Sequence, residues 1–311
     1  MKDTRILTEG AILASLYTIL LLISIYVPFI SALAIWALPL PFVVYVVRRG
    51  LKPGGALVIV AALLTLIVAG VAALPVPFIF GTVGIVVGEL FRRNMSGFSV
   101  LLGAWLTYTI HMLIVYLSLV LIVGIHPIEM SIDMMKAQME TTRSVLESFG
   151  QSGGQLDEME NMLDRFVYLA PFMLVSVSVI LALATVVLST WLLRRLGHNV
   201  KRLPPFREWT FPRSLLWYYL AVLLLIIVGA EEGSFLYVVI WNLFPLLELV
   251  LTVQGLAFIF YYCYEKKVAT AFPVIITIVS IIITPLLNVV RILGIIDLGF
   301  DLRKRVTSLR K

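Results

Sequence analysis

The sequence predicts an all-α polytopic membrane protein. Of 311 residues, 61% are hydrophobic and only 14% are charged, against about 25% charge in a soluble domain. Mean hydropathy is +1.04. The apolar residues fall in long, nearly uncharged runs without strand-like alternation, so the spanning elements are helices. The expected architecture is eight to nine transmembrane helices: a six-helix core, C-terminal helices and an extracytoplasmic helical hairpin.

Apolar segments run over 11–30, 31–47, 55–73, 76–91, 100–123, 167–193, 213–230, 235–262 and 270–290. A straight crossing takes about 20 residues. The first segment follows Lys2 and Arg5 and resembles a signal peptide weakly, with Ala32 and Ala34 spaced as at a cleavage site. A second apolar segment follows at once, which fits a multi-span chain better. That second segment is short and carries Pro39 and Pro41 before Arg48 and Arg49. Proline removes a helical donor, so a bend is expected there. In the first and fourth segments, Ala11 with Ser15 and Gly84 with Gly88 have the small-xxx-small spacing that lets helices approach closely.

Cationic loops stay in the cytoplasm. Arg48, Arg49 and Lys52 follow span two, and Arg92 and Arg93 follow span four. Arg194, Arg195, Lys201, Arg202, Arg207 and Arg213 surround the loop after span six, and Lys266 and Lys267 follow span eight. That alternation puts the N-terminus inside a multi-pass protein of the cell membrane. The last segment has two routes. A ninth full crossing puts Arg303, Lys304, Arg305, Arg310 and Lys311 outside. Pro285 could instead fold 271–299 into a re-entrant hairpin that returns the tail inward. Nine crossings with a short amphipathic tail is the expectation carried forward.

These assignments divide the chain into a membrane core (1–125 and 166–196), an acidic hairpin (126–165), a cytoplasmic basic loop (197–212) and C-terminal helices with a basic tail (213–311). Residues 126–165 hold eight acids and three bases, so the stretch carries −5 and the rest of the chain +11 within a net +6. The net charge is thus split by membrane side and is not a nucleic-acid signal. Ile128, Ile132, Met135, Met139, Thr142, Leu146 and Phe149 step alternately by four and three, as do Leu156, Met159, Leu163 and Phe166. Each set makes one apolar stripe on a helix, and the Gly150–Gly154 run makes the turn between. The stripes bury against each other and the ends of spans five and six, or serve as a lid or self-association surface.

A charge within lipid costs roughly 2.5–3.5 kcal/mol or more, so each asks for a partner or a purpose. Glu89 lies one turn from Arg92 and Arg93 and pairs with them at the interface. His111 is mid-span, with Trp105 and Tyr108 on the preceding turns. In span eight, Asn242, Glu248 and Gln254 are six residues apart. Six residues turn about 600°, so these side chains leave the helix about 120° apart. Glu248 is the most expensive of them and needs a donor, a proton or a cavity. Arg291 and Asp297 are positioned to pair if the tail folds. His111, His126 and His198 are far apart in sequence, and no zinc motif, P-loop, dinucleotide fingerprint or nucleophile elbow occurs. Glu231-Glu232 resembles the paired glutamates of some intramembrane proteases, without a helix-borne His or Arg at useful spacing. No enzyme, cofactor or metal is expected. Cys263 is the single cysteine, so no internal disulfide forms.

The segments TRILTEGAILASLYTILLLISIYVPF and LPLPFVVYVVRRGLKPG resemble the YybS-like family of bacterial predicted membrane proteins. So do FPRSLLWYYLAVLLLIIV, VQGLAFIFYY and VRILGIIDLGFDLRKR nearer the C-terminus. The first six spans also resemble, at fold level, the S-components of energy-coupling factor transporters. That second resemblance implies a six-helix core with both ends inside, a nutrient bound from the outer face, and docking on a separate ATPase module. It implies gating loops at Pro28 and at Pro75 and Pro77. Pro39 and Pro41 would bend span two to open room beneath the first loop. A docking face would fall on Ala11, Ala14 and Ser15, where Ser15 replaces an alanine. The acidic stretch between spans five and six and the three further segments depart from that pattern.

Two functions follow as expectations. The first is a subunit that binds or transports a small solute, with Trp105, Tyr108, His111, Tyr168 and Glu248 as ligand-binding candidates. Its partners are the lipid bilayer, the solute and an ATPase or coupling module. A cationic or neutral ligand suits an acidic outer vestibule. The second is a non-transport scaffold that holds envelope proteins through its acidic hairpin and the small-residue faces at Ala11, Ala14, Ser15, Gly84 and Gly88.

Overall fold

The computed structural model describes residues 2–148, 163 and 166–308. All regular elements among the described residues are helical. The chain runs through α1 (Lys2–Tyr26), α2 (Ser31–Ala37), α3 (Leu40–Arg49), α4 (Leu51–Ala69), α5 (Pro75–Arg92), α6 (Gly97–Ser118) and α7 (Pro127–Ser148). It continues through α8 (Ala170–Arg195), α9 (Ser214–Val228), α10 (Phe235–Glu265), α11 (Ala271–Ile282), α12 (Thr284–Phe300) and α13 (Leu302–Ser308). Among the described residues, seven stretches are long and apolar enough to cross a bilayer: Thr4–Tyr26, Ser31–Arg49, Leu51–Ala69, Val71–Arg92, Gly97–Val123, Val167–Arg195 and Phe235–Glu265. Helices α9 and α11 are apolar but shorter. Exposed residues such as Leu63, Ile67, Ile227 and Val228 give these helices a surface suited to lipid.

Two compact units divide the chain: residues 1–127 with 174–203, and residues 128–173 with 204–311. Of the stretch read from sequence as a hairpin, the described residues 128–148 and 163 fall in the same unit as the C-terminal helices. Its first expected helix is α7. The expected turn at 150–154, and all of the second helix but Leu163 and Phe166, lie outside the described residues.

In the first unit, Pro39 and Pro41 split span two. Helix α2 ends at Ala37 and α3 starts at Leu40. The broken segment is not loosely packed: Leu38, Phe42, Val43 and Val46 are buried. Helix α5 makes the room. A Cβ on Gly84 would lie 2.5 Å from the Phe42 Cβ and 2.9 Å from the Pro39 carbonyl oxygen. One on Gly88 would lie 2.8 Å from the Val46 Cβ and 2.9 Å from the Val43 carbonyl oxygen. At the far end of α3, Gly50 turns directly into α4 at φ 86°, in a region that only glycine enters easily. Arg48 and Arg49 meet Glu9 of α1 at 2.7 and 2.5 Å, and the Tyr45 hydroxyl donates to the Ile6 carbonyl at 3.1 Å. Glu89 pairs with Arg92 and Arg93, each at 2.7 Å. Ala14 is buried, whereas Ala11 and Ser15 are less enclosed, with the Ser15 hydroxyl donating back to the Ala11 carbonyl at 3.0 Å.

In the second unit, α12 lies against α10. The pairs Glu248–Arg291 and Gln254–Asp297 share one sequence offset of 43 residues, and Leu251 meets Gly294 at the same step. A constant offset, rather than a constant sum, means that the two helices run parallel. Their backbones nearly touch, because a Cβ on Gly255 would collide with the Val290 carbonyl and one on Gly294 with the Leu251 carbonyl. Both helices therefore finish on the same side, where Arg303 donates to the carbonyls of Arg207 at 2.8 Å and Trp209 at 2.9 Å. This corrects the expectation of nine crossings with an outward tail. The chain reverses at Ile283, with Pro285 in the first turn of α12, and brings the tail back to the basic loop.

Candidate functional site

The sequence-derived candidates fall in both units. In the first unit, Tyr108 is fully buried; its hydroxyl shares a 2.9 Å hydrogen bond with that of Thr185, and its ring meets Phe80 edge-on at 6.0 Å. His111 Nδ1 lies 2.8 Å from the Thr107 carbonyl, and Nε2 lies 3.1 Å from the Thr82 hydroxyl. The Thr107 carbonyl can only accept, so Nδ1 donates to it, while the Thr82 hydroxyl donates to the Phe78 carbonyl at 2.6 Å and presents its oxygen to the ring. The Trp105 indole N–H is buried without a hydrogen-bond partner among the described residues. Val83, Val87, Ala104, Tyr108, Ala182 and Val186, all fully buried, fill the space where α5, α6 and α8 meet. The gating segment at Pro75 and Pro77 is not a loop. Both prolines sit in the first turn of α5, where a fixed φ and a missing N–H cost nothing. Pro28 lies in the turn before α2, next to the exposed Phe29.

Tyr168 and Glu248 belong to the second unit. Asn242, Glu248 and Gln254 leave α10 on three faces and meet three sets of partners. Asn242 accepts from the Phe172 N–H at 2.8 Å and donates to the Tyr168 carbonyl at 2.6 Å. It thereby occupies an N–H at the start of α8 that the helix itself cannot satisfy. Gln254 accepts from the Phe211 N–H at 3.0 Å and donates to Asp297 at 2.5 Å, and Arg303 also donates to Asp297 at 3.1 Å. These two sets are structural ties, with every partner a protein group. Asp297 thus pairs with Arg303, not with Arg291. Arg291 donates from Nη1 to Glu248 Oε1, and its Nε is buried without a partner among the described residues.

Glu248 differs from the other two because it also faces a cavity. The cavity is about 570 Å³ and is lined by Leu169, Ile226, Gly229, Ala230, Tyr237, Ile240, Trp241, Phe244, Pro245 and Glu248. Tyr237, Trp241, Phe244 and Glu248 follow one another by four, three and four residues, so one face of α10 forms the wall. Tyr237 stands 5.6 Å from Trp241 and 5.2 Å from Tyr168, centroid to centroid. Phe244 stacks on Tyr219 of α9 at 5.8 Å. Among the described residues, the ion pair engages only Oε1 of the carboxylate. Oε2 takes no protein hydrogen bond and is not among the buried unsatisfied atoms. A second cavity, about 250 Å³ beside Phe206, Phe260 and Cys263, is smaller. It lies near the Arg207 guanidinium, which stacks on Tyr264 at 3.9 Å. The larger cavity joins an aromatic wall to an available charge, the usual composition of a small-molecule site. Of the sequence candidates, Glu248 lines this cavity and Tyr168 packs on the lining residue Tyr237; Tyr237, Trp241, Phe244 and Arg291 were not among the candidates. The step from Tyr237 to Glu248 was the available signal for the wall. Nothing in the order of residues announced Arg291, because its approach depends on the reversal before α12.

A family described as predicted membrane protein, DUF2232, matches residues 15–298. The uncharacterized protein YybS of Bacillus subtilis (strain 168) is 34% identical over 309 residues, covering 98% of this chain and 100% of the relative. No solved structure matches.

Proposed function

The chain belongs to the DUF2232 family of predicted membrane proteins, and from that premise we propose that it is a membrane-embedded binding subunit for a small solute. The observation that carries this reading is the aromatic cavity of the second unit, with Glu248 in its wall. A cavity of about 570 Å³ lies within the usual range for small-molecule sites. In this reading the ligand sits against α10, and Tyr108 and His111 of the first unit serve packing. Transport of the solute, the finer form of the reading, calls for an energy source outside this chain, such as the ATPase module expected from the S-component resemblance. The reading places the protein in the cell membrane with its basic loops in the cytoplasm.

Mass spectrometry of the intact protein released from mild detergent tests the proposal. The expected spectrum of the wild type carries an added small-molecule mass, and Ala230→Phe, which fills the cavity, loses it. Bare wild-type protein, or equal retention in the variant, would overturn the reading. A scaffold role is the second reading, favoured by the exposed Met130, Met134 and Met135 on α7. Soft, adaptable methionine faces suit protein partners. A protein partner retained in place of a small molecule is the outcome that favours it.

A further inference from the structure

We infer that the cavity beside α10 recognises an organic cation, a primary or quaternary ammonium carrying an apolar group. The inference rests on the binding reading above and names its ligand class.

Three features point to that chemistry. The lining includes three aromatic residues, Tyr237, Trp241 and Phe244. Aromatic faces carry negative potential and attract ammonium groups, most strongly where water is excluded. The single charged side chain in the lining is an acid, Glu248. Arg291, its partner, is not among the lining residues and, among the described residues, engages only Oε1, so Oε2 keeps its acceptor capacity. The ion pair fixes the carboxylate in place and keeps the resting site near neutrality; an arriving ammonium then makes a charge-assisted contact at the second oxygen. The lining also includes Gly229 and Ala230, and exposed Glu231 and Glu232 come directly after them in the chain. Acidic groups at an entrance raise the local concentration of cations. An anion meets the opposite arrangement: its ligand atoms would face Glu248, with Arg291 behind.

The apolar remainder of the ligand has a place as well. Leu169, Ile226 and Ile240 complete the wall, and they supply apolar surface against which the ligand's methylenes are removed from water. An ammonium of this kind can be a free solute or the headgroup of a lipid.

Isothermal titration of the full-length protein in non-ionic detergent separates the possibilities. The probes are benzyltrimethylammonium, its uncharged carbon isostere neopentylbenzene, and benzenesulfonate. The expected result is that the cation binds at least tenfold more tightly than the isostere, while the sulfonate does not bind. Glu248→Gln should reduce cation affinity at least tenfold and leave the isostere unchanged. Trp241→Leu, which keeps the ion pair, should weaken the cation several-fold and serves if the Gln variant fails to fold. Equal binding of cation and isostere would overturn the ammonium class and leave the binding cavity standing. No binding by either would overturn both. Competition by phosphatidylcholine vesicles assigns the ammonium to a lipid headgroup; failure to compete assigns it to a free solute.

Discussion

Glu248 and Arg291 show how a membrane protein keeps an acid within its span. Each is about a fifth exposed, and together they bring a net charge of zero into the helix packing. Removing the base alone leaves the carboxylate uncompensated. Arg291→Met is expected to cost about 2 kcal/mol, less than the roughly 3–5 kcal/mol of a fully buried pair because both side chains keep some exposure. Glu248→Gln with Arg291→Met should recover most of that loss, since no lone charge remains. Thermal unfolding of the three variants in detergent measures this, and a double variant no more stable than Arg291→Met would contradict it. The demand for a partner was legible in the sequence, because Glu248 stands in an apolar run. The partner was not, because Arg291 is 43 residues away and was read as a mate for Asp297. Glu9 was missed for a related reason. It lies near the start of α1, and its contact with Arg48 and Arg49 forms only when α3 folds back against α1.

At the scale of elements, the pattern of hydrophobic runs located the helices, and proline located their breaks. Pro39 and Pro41 interrupt span two, and Pro285 starts α12 after the break at Ile283. What a break does next depends on packing. Gly84 and Gly88 seat the backbone of α3, and Gly255 with Gly294 lets α12 lie directly on α10. The first pair was legible as a GxxxG. The second was not, because its two glycines sit on different helices and make no motif. The parallel course of α10 and α12 has a direct consequence for sidedness. Helix α12 has 17 residues and spans about 26 Å. With Cys263→Ala as background, Glu208→Cys and Lys304→Cys should react with a membrane-impermeant maleimide from one side, and Glu231→Cys from the other. Labelling of position 304 together with position 231 would contradict the parallel arrangement.

For the whole molecule, the membrane class, the all-helical architecture and the seven stretches able to cross a bilayer among the described residues followed from composition and periodicity, because lipid tolerates few other solutions. The position of the candidate site did not follow. The resemblance to S-components drew attention to the first six spans, yet there Tyr108 and His111 make internal hydrogen bonds and Val83, Val87 and Ala182 close the packing. The second unit, read from sequence as C-terminal helices and a tail, holds the aromatic cavity and its carboxylate. Charged tail residues hold the fold together, as Arg303 does in tying Asp297 to the backbone at Arg207 and Trp209. The binding proposal requires that ligand be held in that second unit. Photolabelling with an aryl-azide benzylammonium, followed by peptide mapping, tests it most directly. The account predicts adducts within 226–248, lost on competition with benzyltrimethylammonium. Adducts concentrated within 80–111, around Tyr108 and His111, would contradict it.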